Sequence, residues 1–429
     1  MKRRRLLLSL VAGAVAAGLA VVAVFPRATP QRLSDGSLVA LTRLKFGVSN
    51  EFTHGRLLER ALRGAIPSNG LSVASLRLQR PTGLTLQYGD VPALSVEFQL
   101  SGPEVGSGRG QMLAPKFHRP FRLVILGEDG FPYVEEFERI RKYQDGVYVY
   151  VTTTAFPRTS SVLRFRLEQH NDRLGPWRTV AEFTRRNPAR AKEKEWFPES
   201  YPVMRTSHGL SFVLGEVTVG QNHSNAWENF WQNRVTIPLQ IAQDGVLLTN
   251  WGLHELRAED SSGNSLFLGT EKSVENGWIV HRAFRSVDPG KEWRLRAGIA
   301  PDSAYAATNL FTLRVPIPLG APFTTNVGGY PLKVGFVNVD MLSVDLLTKA
   351  PELRLAFVGA RDEQGRDLDA HSGSWGQFGF WKALSLPALS SLTPPPAATI
   401  TATIAISPNV PVEFTVKPRL IDSSPPSRR

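Results

Sequence analysis

The sequence has 429 residues, with no cysteine, four methionines and eight histidines. The lack of cysteine excludes a disulfide framework, a cysteine nucleophile, a zinc ribbon, an iron–sulfur cluster and a lipidated N-terminal cysteine. The histidines are scattered, and no two of them have the spacing of a metal site. We therefore predict that the protein holds no metal ion and no cofactor.

Most catalytic signatures are also missing. The sequence contains no Gly-x-Ser-x-Gly elbow, P-loop, His-Glu-x-x-His motif or dinucleotide fingerprint. Glu136 and Glu138 would lie about 7 Å apart on one strand face, but any solvated strand face gives that spacing. The acidic run at 362–369 lacks the ligand spacing of an EF-hand and predicts a hairpin tip rather than a calcium site. No catalytic residue is predicted.

What the sequence does contain is typical of folded domains with a positive surface. Apolar residues make up 42% and aromatic residues 9% of the chain, which is ample for ordinary cores. The net charge is +12. The length corresponds to roughly three domains.

The N-terminus predicts a membrane segment. Lys2, Arg3, Arg4 and Arg5 precede residues 6–25, which carry no charge and as a helix would span about 30 Å, the thickness of a bilayer core. We predict that residues 1–26 form a single-pass anchor in a bacterial inner membrane, with the bulk of the chain in the periplasm or outside. The alternative is a cleaved signal peptide and a secreted protein.

Export limits the partners of the positive surface. The lack of cysteine in an exported chain favours a bacterial envelope over a eukaryotic secretory route. Outside the cytoplasm the surface would meet anionic lipid, cell-wall polymer or acidic polysaccharide. We therefore expect the membrane as one partner, through the N-terminal helix, and a polysaccharide or an envelope protein as another. We expect no nucleic acid.

Beyond residue 30, apolar and polar residues alternate in short segments. Residues 94–100, 147–151 and 163–167 have a period of two and predict half-buried strands. Further strands of this kind are predicted at 210–219, 235–241, 293–297, 311–315, 332–339, 353–358 and 412–416. Helical signal is scarce, and Asn50 could cap one short helix over residues 51–63.

An internal repeat and the turn spacing predict the fold. Segments 121–130, 253–263 and 353–365 each run into an acidic turn that contains glycine. Many short strands between turns are typical of sandwiches or barrels. We predict an all-β protein with two or three tandem antiparallel β-sandwich domains after the N-terminal helix. The boundaries are 38–175, 198–318 and 322–420, followed by a disordered tail at 421–429.

One aromatic segment between two predicted strands is a candidate ligand site. In residues 222–234, Trp227 and Trp231 lie four residues apart among amides and carboxylates. Asn225, Glu228 and Asn229 could read the hydroxyls of a sugar stacked on a tryptophan ring. The alternative is that these rings form a satellite core under a long loop. A second patch, at 374–381, has a similar composition.

Three stretches carry a resemblance to known proteins: residues 177–188, the turn at 260–264, and residues 291–296. They resemble uncharacterised, membrane-anchored, β-rich exported proteins of planctomycete and verrucomicrobial bacteria. The resemblance covers residues 38–318. It implies a membrane-anchored, β-rich, exported protein and no particular activity.

Two functions follow from the sequence. The first is a non-catalytic, membrane-anchored envelope protein that presents β-sandwich modules for a structural or ligand-binding role. The alternative is an extracytoplasmic hydrolase that acts on envelope or extracellular polymer through a carboxylate pair. Two acids that converge in an open cleft would favour the hydrolase.

Overall fold

The computed structural model describes residues 29–33, 36–54, 82–87, 91–101, 121–128, 130–136, 139–143, 146–170, 177–221, 233–283, 285–302, 305–316, 321–338, 341–348, 352–365, 367, 371–373, 381–385 and 399–421. Within these ranges the protein is all-β, and its one helical element is a 3-10 turn at Ala307–Asn309. The same ranges hold no helix with the length and apolarity of a membrane span. The predicted anchor at 1–26 lies outside them, as does the predicted tail beyond residue 421.

The chain divides into two compact units, Met1–Arg190 and Ala191–Arg429. The strands of unit 1 are β1 (Gln31–Arg32), β2 (Leu38–Gly47), β3 (Ser49–His54), β4 (Thr82–Gln87), β5 (Ala93–Ser101), β6 (Phe121–Leu126), β7 (Pro132–Glu136), β8 (Arg139–Tyr143), β9 (Gly146–Thr153), β10 (Val162–His170) and β11 (Trp177–Arg186).

The strands of unit 2 are β12 (Val203–Ser207), β13 (Leu210–Leu214), β14 (Thr218–Gln221), β15 (Asn233–Gln243), β16 (Val246–Leu247), β17 (Trp251–Asp260), β18 (Ser265–Phe267), β19 (Thr270–Glu275), β20 (Trp278–Ala283), β21 (Trp293–Pro301), β22 (Leu310–Pro316), β23 (Phe323–Val327), β24 (Tyr330–Asn338), β25 (Met341–Leu346), β26 (Leu353–Arg361), β27 (His371–Gly373), β28 (Trp381–Ser385), β29 (Thr399–Pro408), β30 (Val410–Val416) and β31 (Arg419–Ile421).

Unit 1 contains two antiparallel sheets that pack face to face. Sheet I has the order β1-β2-β5-β9-β8, and sheet II has the order β11-β10-β6-β7. Phe98 of sheet I and Phe183 of sheet II meet between the sheets, with ring centroids 5.8 Å apart. A separate pair, β3-β4, packs Phe52 edge-on against Tyr150.

Unit 2 contains a second pair of sheets, here called the host. Sheet III has the order β12-β13-β15-β14-β31. Strands β16 and β20 also pair with β15, and β19 pairs with β20. Sheet IV has the order β18-β17-β21-β30. The pairing is antiparallel except that β31 runs parallel to β14. Phe212 and Ile237 of sheet III and Leu295 and Phe414 of sheet IV are buried in the host.

Residues 302–409, here called the insert, lie between two paired strands of the host. Ile299 of β21 faces Val410 of β30 in the antiparallel ladder. Sheet V (β22-β29-β26) and sheet VI (β23-β24-β25-β28-β27) belong to the insert and share one hydrophobic core. That core includes Val315, Val334, Leu342 and Ile404.

The same pairing pattern occurs three times along the chain. In each pair of sheets, one sheet carries three successive neighbours: β2-β5-β9 in unit 1, β13-β15-β20 in the host and β24-β25-β28 in the insert. The facing sheet pairs β6 with β10, β17 with β21, and β26 with β29. Each pair of sheets thus combines three adjacent strands with a pair of strands in the other sheet. The three repeated segments predicted from the sequence fall on β6, β17 and β26, which occupy the same place in the pattern.

The predicted domain boundaries stay predictions, but the pairing bears on how the segments are connected. Strands on both sides of the predicted break at 318–322 share sheets, because β21 pairs with β30 and β22 pairs with β29. Sheet II also continues past residue 175, since β11 pairs with β10.

The predicted strands are confirmed within the described residues, which leave out residue 339, with two differences. Residues 210–219 form two strands, β13 and β14, rather than one. Residues 94–100 form β5, whose polar face is not solvated: Ser95 and Glu97 are both 0% exposed. Glu97 accepts a hydrogen bond from Thr42 at 2.7 Å and lies 3.4 Å from Arg43. Strand β5 lies between β2 and β9, and Thr42 and Arg43 of β2 contact Glu97 on this polar face.

The predicted helix at 51–63 is wrong in its first turn. Residues 51–54 belong to β3, and residues 55–63 lie outside the described ranges. Asn50 is buried, and its amide donates to Ala93 O at 3.1 Å and to Ser95 Oγ at 2.9 Å. These long-range hydrogen bonds replace the helix cap that the local sequence predicts.

Candidate functional site

The ligand site predicted from the sequence lies outside the described residues. This holds for Trp227, Trp231, Asn225, Glu228 and Asn229. The described chain stops at Gln221 and resumes at Asn233, and these two residues face each other across the antiparallel pair β14-β15. In the second patch, residues 374–380 are likewise outside. Both aromatic sites therefore stay predictions.

The acids singled out in the sequence occupy structural positions where they are described. Glu135 is buried and accepts a hydrogen bond from Thr153 Oγ1 at 2.6 Å. In the acidic run, Gly365 N–H donates to Asp362 O at 3.0 Å and closes a turn after β26. The described residues contain no group of three acids or histidines arranged to hold a metal ion.

Two buried acids, Asp260 and Asp288, interact electrostatically. Burial raises the pKa of Asp260 to about 6, against the effect of its hydrogen bonds with Asn264. Its Oδ1 accepts from the backbone N–H groups of Ser262 and Asn264, both at 3.0 Å, and its Oδ2 accepts from Asn264 Nδ2 at 2.8 Å. The side chain is 0% exposed. This carboxylate shapes a closed turn and is not accessible to a substrate.

A charged cluster marks the point where the chain leaves the host for the insert. Asp302 accepts hydrogen bonds from His254 Nε2 at 2.8 Å and from Lys272 Nζ. Burial alone would raise the pKa of Asp302, but these hydrogen bonds and the charges of both partners lower it to about 2. Lys272 also donates to the backbone oxygens of Thr249 and Trp251, at 3.0 and 2.7 Å.

Close packing and further hydrogen bonds fix this junction. A Cβ on Gly252 would lie 2.8 Å from Asp302 Oδ2, so a larger residue there would displace the carboxylate. Tyr305 Oη donates to Asp302 O at 3.0 Å, and Arg354 of β26 donates to Pro301 O. Since host strands and insert strands both contribute, the cluster holds the two together.

His281 supports the same region from inside the host. Its ring is buried, and its Nε2 accepts the backbone N–H of Leu253 at 3.1 Å. Burial lowers the pKa of His281 to about 4. The imidazole is therefore neutral at physiological pH and serves as a bridge between β17 and β20.

An open groove of about 620 Å³ on the insert is a candidate ligand site. It is lined by residues of β22, of β29, and of β26 with its following turn: Arg314, Pro316, Thr399, Thr401, Arg361, Asp362, Glu363 and Gly365. Arg314 faces Thr401, and Thr401 faces Arg361, in one row across sheet V. Since neighbouring strands lie about 4.8 Å apart, the Cα atoms of the two arginines are about 10 Å apart.

The strand pattern explains why these side chains point outward. Along β29, Thr399, Thr401 and Thr403 are partly exposed, and they alternate with Ile400 and Ala402, which are buried. The exposed face thus carries hydroxyl groups between two guanidinium groups. Sequence reasoning missed this site, because its residues come from strands far apart in the chain. The run of alternating threonines was the available signal.

The two arginines of the groove differ in their surroundings. Arg361 Nε donates to Asp367 Oδ1 at 2.8 Å, and this hydrogen bond raises the pKa of the guanidinium. Arg314 is exposed and forms no hydrogen bond or ion pair within the described chain. Guanidinium groups bind carboxylates and phosphates through paired hydrogen bonds, and hydroxyl groups pair with either donors or acceptors. The groove can therefore accept an anionic ligand that carries hydroxyl groups.

Comparison with known proteins gives no family. No family model and no curated protein matches the chain. Among solved structures the chain is similar to a marsupial T cell receptor, with 9% sequence identity over 76% of this chain and 95% of that chain, and a TM-score of 0.13. A TM-score this low carries no argument about function or fold. The strand pairing described above shows an all-β protein with several antiparallel sheets in the described part of the chain.

Proposed function

We propose that the protein is a non-catalytic, membrane-anchored envelope protein whose β-sandwich modules bind an extracellular polymer in the groove of the insert. The observation that carries the proposal is the row of Arg314, Thr401 and Arg361 along an open groove. The predicted N-terminal helix would attach the chain to the inner membrane and place the modules outside it.

Geometry favours binding over hydrolysis. A glycosidase places its two carboxyl groups on opposite sides of the scissile bond. In the groove the two acids, Asp362 and Glu363, are consecutive residues of one turn. Asp260 and Glu135 are enclosed and hydrogen-bonded to their own chain. A carboxylate pair across an open cleft is therefore not found in the described part of the chain.

The binding test uses the full-length protein in detergent micelles and affinity electrophoresis through gels that contain a polysaccharide. We expect Arg314→Gln to weaken retention about tenfold, since a hydrogen bond to a charged group contributes about 1.5–3 kcal/mol. Arg178→Gln is the matched control, because Arg178 is an exposed arginine on β11 of unit 1. Equal retention of wild type and Arg314→Gln on every polysaccharide tried would refute the groove as the binding site.

Two further measurements test the rest of the proposal. Asp362→Asn with Glu363→Gln should leave the release of reducing ends from the bound polymer at background level. If the wild type releases reducing ends and these changes abolish that release, the hydrolase is supported instead.

Protease added to spheroplasts should digest the β-rich part of the chain, and full protection would refute the placement outside the membrane.

A further inference from the structure

We propose that the polymer is a polysaccharide that carries carboxylate groups, and that Asp367 is a built-in competitor that holds Arg361 until a carboxylate of the ligand replaces it. This inference rests on the proposed function, because it concerns the same groove. It adds the chemical class of the ligand and the exchange that accompanies binding.

The contact between Arg361 and Asp367 shows that this arginine binds a carboxylate. The two side chains are 65% and 81% exposed, and the ion pair is made through Nε alone in the described chain. Exposed pairs of this kind contribute little to stability, because water and salt screen them. A ligand carboxylate can displace Asp367 at small cost and use more of the guanidinium donors than the single one now engaged.

Arg314 supplies the second point of attachment. It lies two strands away in the same row and has no competitor of its own in the described chain. Thr399 and Thr401 lie in the groove with it. The Cα atoms of Arg314 and Arg361 lie about 10 Å apart, so a ligand that binds both must present anionic groups to two separate guanidinium groups and hydrogen-bonding groups to the threonine between them.

The remaining lining distinguishes a uronate polymer from a phosphate polymer. Asp362 and Glu363 are both lining residues of the groove, and Glu363 is the exposed acid of the two. Carboxylates repel a densely charged chain, but they accept hydrogen bonds from sugar hydroxyls. A sugar acid offers one carboxylate per ring together with hydroxyl groups, so it matches a lining that has both signs of charge.

The probes are polygalacturonate, neutral dextran and polyphosphate, measured against the full-length protein in detergent micelles. We expect polygalacturonate to bind at least tenfold more tightly than dextran or polyphosphate, and to bind more weakly as salt increases. Asp367→Asn should tighten binding of polygalacturonate about threefold or more. Arg361→Gln should weaken it about tenfold, and Asp367→Asn should then have no further effect, because the competitor acts only through Arg361.

The outcomes separate this inference from the proposed function. Retention that depends on Arg314 but is equal for dextran and polygalacturonate would refute the ligand class and leave the groove as the site. Tighter binding of polyphosphate than of polygalacturonate would also refute the ligand class, and it would identify a phosphate polymer as the ligand of the groove. If Asp367→Asn leaves the binding of polygalacturonate unchanged or weakens it, Asp367 does not compete with the ligand for Arg361. Loss of all dependence on Arg314 would refute the proposed function itself.

Discussion

The side-chain amide of Gln31 holds both backbone groups of Glu182. Gln31 Oε1 accepts from Glu182 N–H at 2.9 Å, and Gln31 Nε2 donates to Glu182 O. Glu182 lies on β11, the edge strand of sheet II, and Gln31 lies on β1, the edge strand of sheet I. At this one residue the amide takes the place of a neighbouring strand.

The host protects its own edge strand in a similar way. Glu199 N–H donates to Thr415 O at 2.8 Å, and Thr415 N–H donates to Glu199 Oε1 at 3.3 Å. Thr415 is on β30, the edge strand of sheet IV. In both cases the bonding residue comes early in the sequence of its pair of sheets, and the edge strand that it bonds comes late. Gln31 precedes β2 and bonds β11, and Glu199 precedes β12 and bonds β30. Backbone groups that are already hydrogen-bonded at these residues are not available to a strand of another chain.

Gln31→Ala should therefore lower the free energy of unfolding of unit 1 by about 1 kcal/mol and increase self-association. Each lost hydrogen bond contributes about 0.5–1.5 kcal/mol, and the pair is exposed. Urea denaturation and light scattering at increasing protein concentration would measure the two effects. Gln243→Ala, at an exposed glutamine of β15, is the control. Unchanged scattering would show that the amide does not protect the edge.

His281 should make stability depend on pH. Its pKa is about 4 in the folded state and about 6.5 when unfolded, so the unfolded chain binds the extra proton between these values. The contribution of neutral His281 to the free energy of unfolding is fully present above pH 6.5 and is lost as the pH falls towards 4. The loss is about 3 kcal/mol, from 1.36 kcal/mol per pKa unit.

His281→Gln isolates this effect. Glutamine does not titrate, so the difference in unfolding free energy between wild type and variant should shrink as pH falls from 6.5 to 4. Asp260 acts in the opposite direction, since its raised pKa of about 6 adds stability as pH falls, but it is present in both proteins. A constant difference across this range would contradict the prediction.

Asp302 and Lys272 should couple more strongly than an exposed ion pair. Both side chains are 24% exposed, and each has further partners in the cluster. We expect a double-mutant cycle of Asp302→Asn and Lys272→Met to give a coupling of about 2 kcal/mol at pH 7. Because the pKa of Asp302 is about 2, against an ordinary 3.8, the coupling should persist to pH 4 and disappear as pH falls towards 2.

The pair Lys194–Glu259 is the control for that cycle, since Lys194 is 55% exposed. Its coupling should be below about 1 kcal/mol, the usual limit for exposed pairs. Gly252→Ala gives an independent test, because its Cβ would displace the Asp302 carboxylate. Equal coupling in the two ion pairs would mean that the junction gains nothing from the cluster.

Trp227→Ala and Trp231→Ala test the aromatic site predicted from the sequence. If the rings form a sugar-binding platform, each change should reduce retention on polysaccharide and leave the melting temperature nearly unchanged. A buried ring would instead cost about 3–5 kcal/mol on removal. Thermal melts of both variants distinguish the two, and a large loss of stability with normal retention would assign the rings to a core.

Local sequence predicted the strands well, because a period of two needs only neighbouring residues. The segments at 94–100 and 147–151 are β5 and β9. It failed at Asn50, where the cap signal is local but the amide bonds to Ala93 and Ser95 on another strand. The local sequence also failed at Glu97, since burial of this acid depends on Thr42 and Arg43 of the neighbouring strand β2.

Strand pairing and the groove could not be predicted from the sequence. Arg314, Thr401 and Arg361 become neighbours only through the register of three strands. That β30 returns to β21 across the whole insert follows from no local pattern. The repeated acidic turns came nearest to tertiary information, since they mark equivalent strands β6, β17 and β26.

The place of the insert has a consequence for how the chain folds. During synthesis β21 emerges before residues 302–409, and its partner β30 emerges after them. Until then one side of β21 lacks its neighbour, and the turn around Asp302 lacks its partners from the insert. Closing so long a loop is slow unless the insert first folds and brings its own ends together. Folding of the insert first brings β21 and β30 close together, and sheet IV is then completed without the closure of a long open loop.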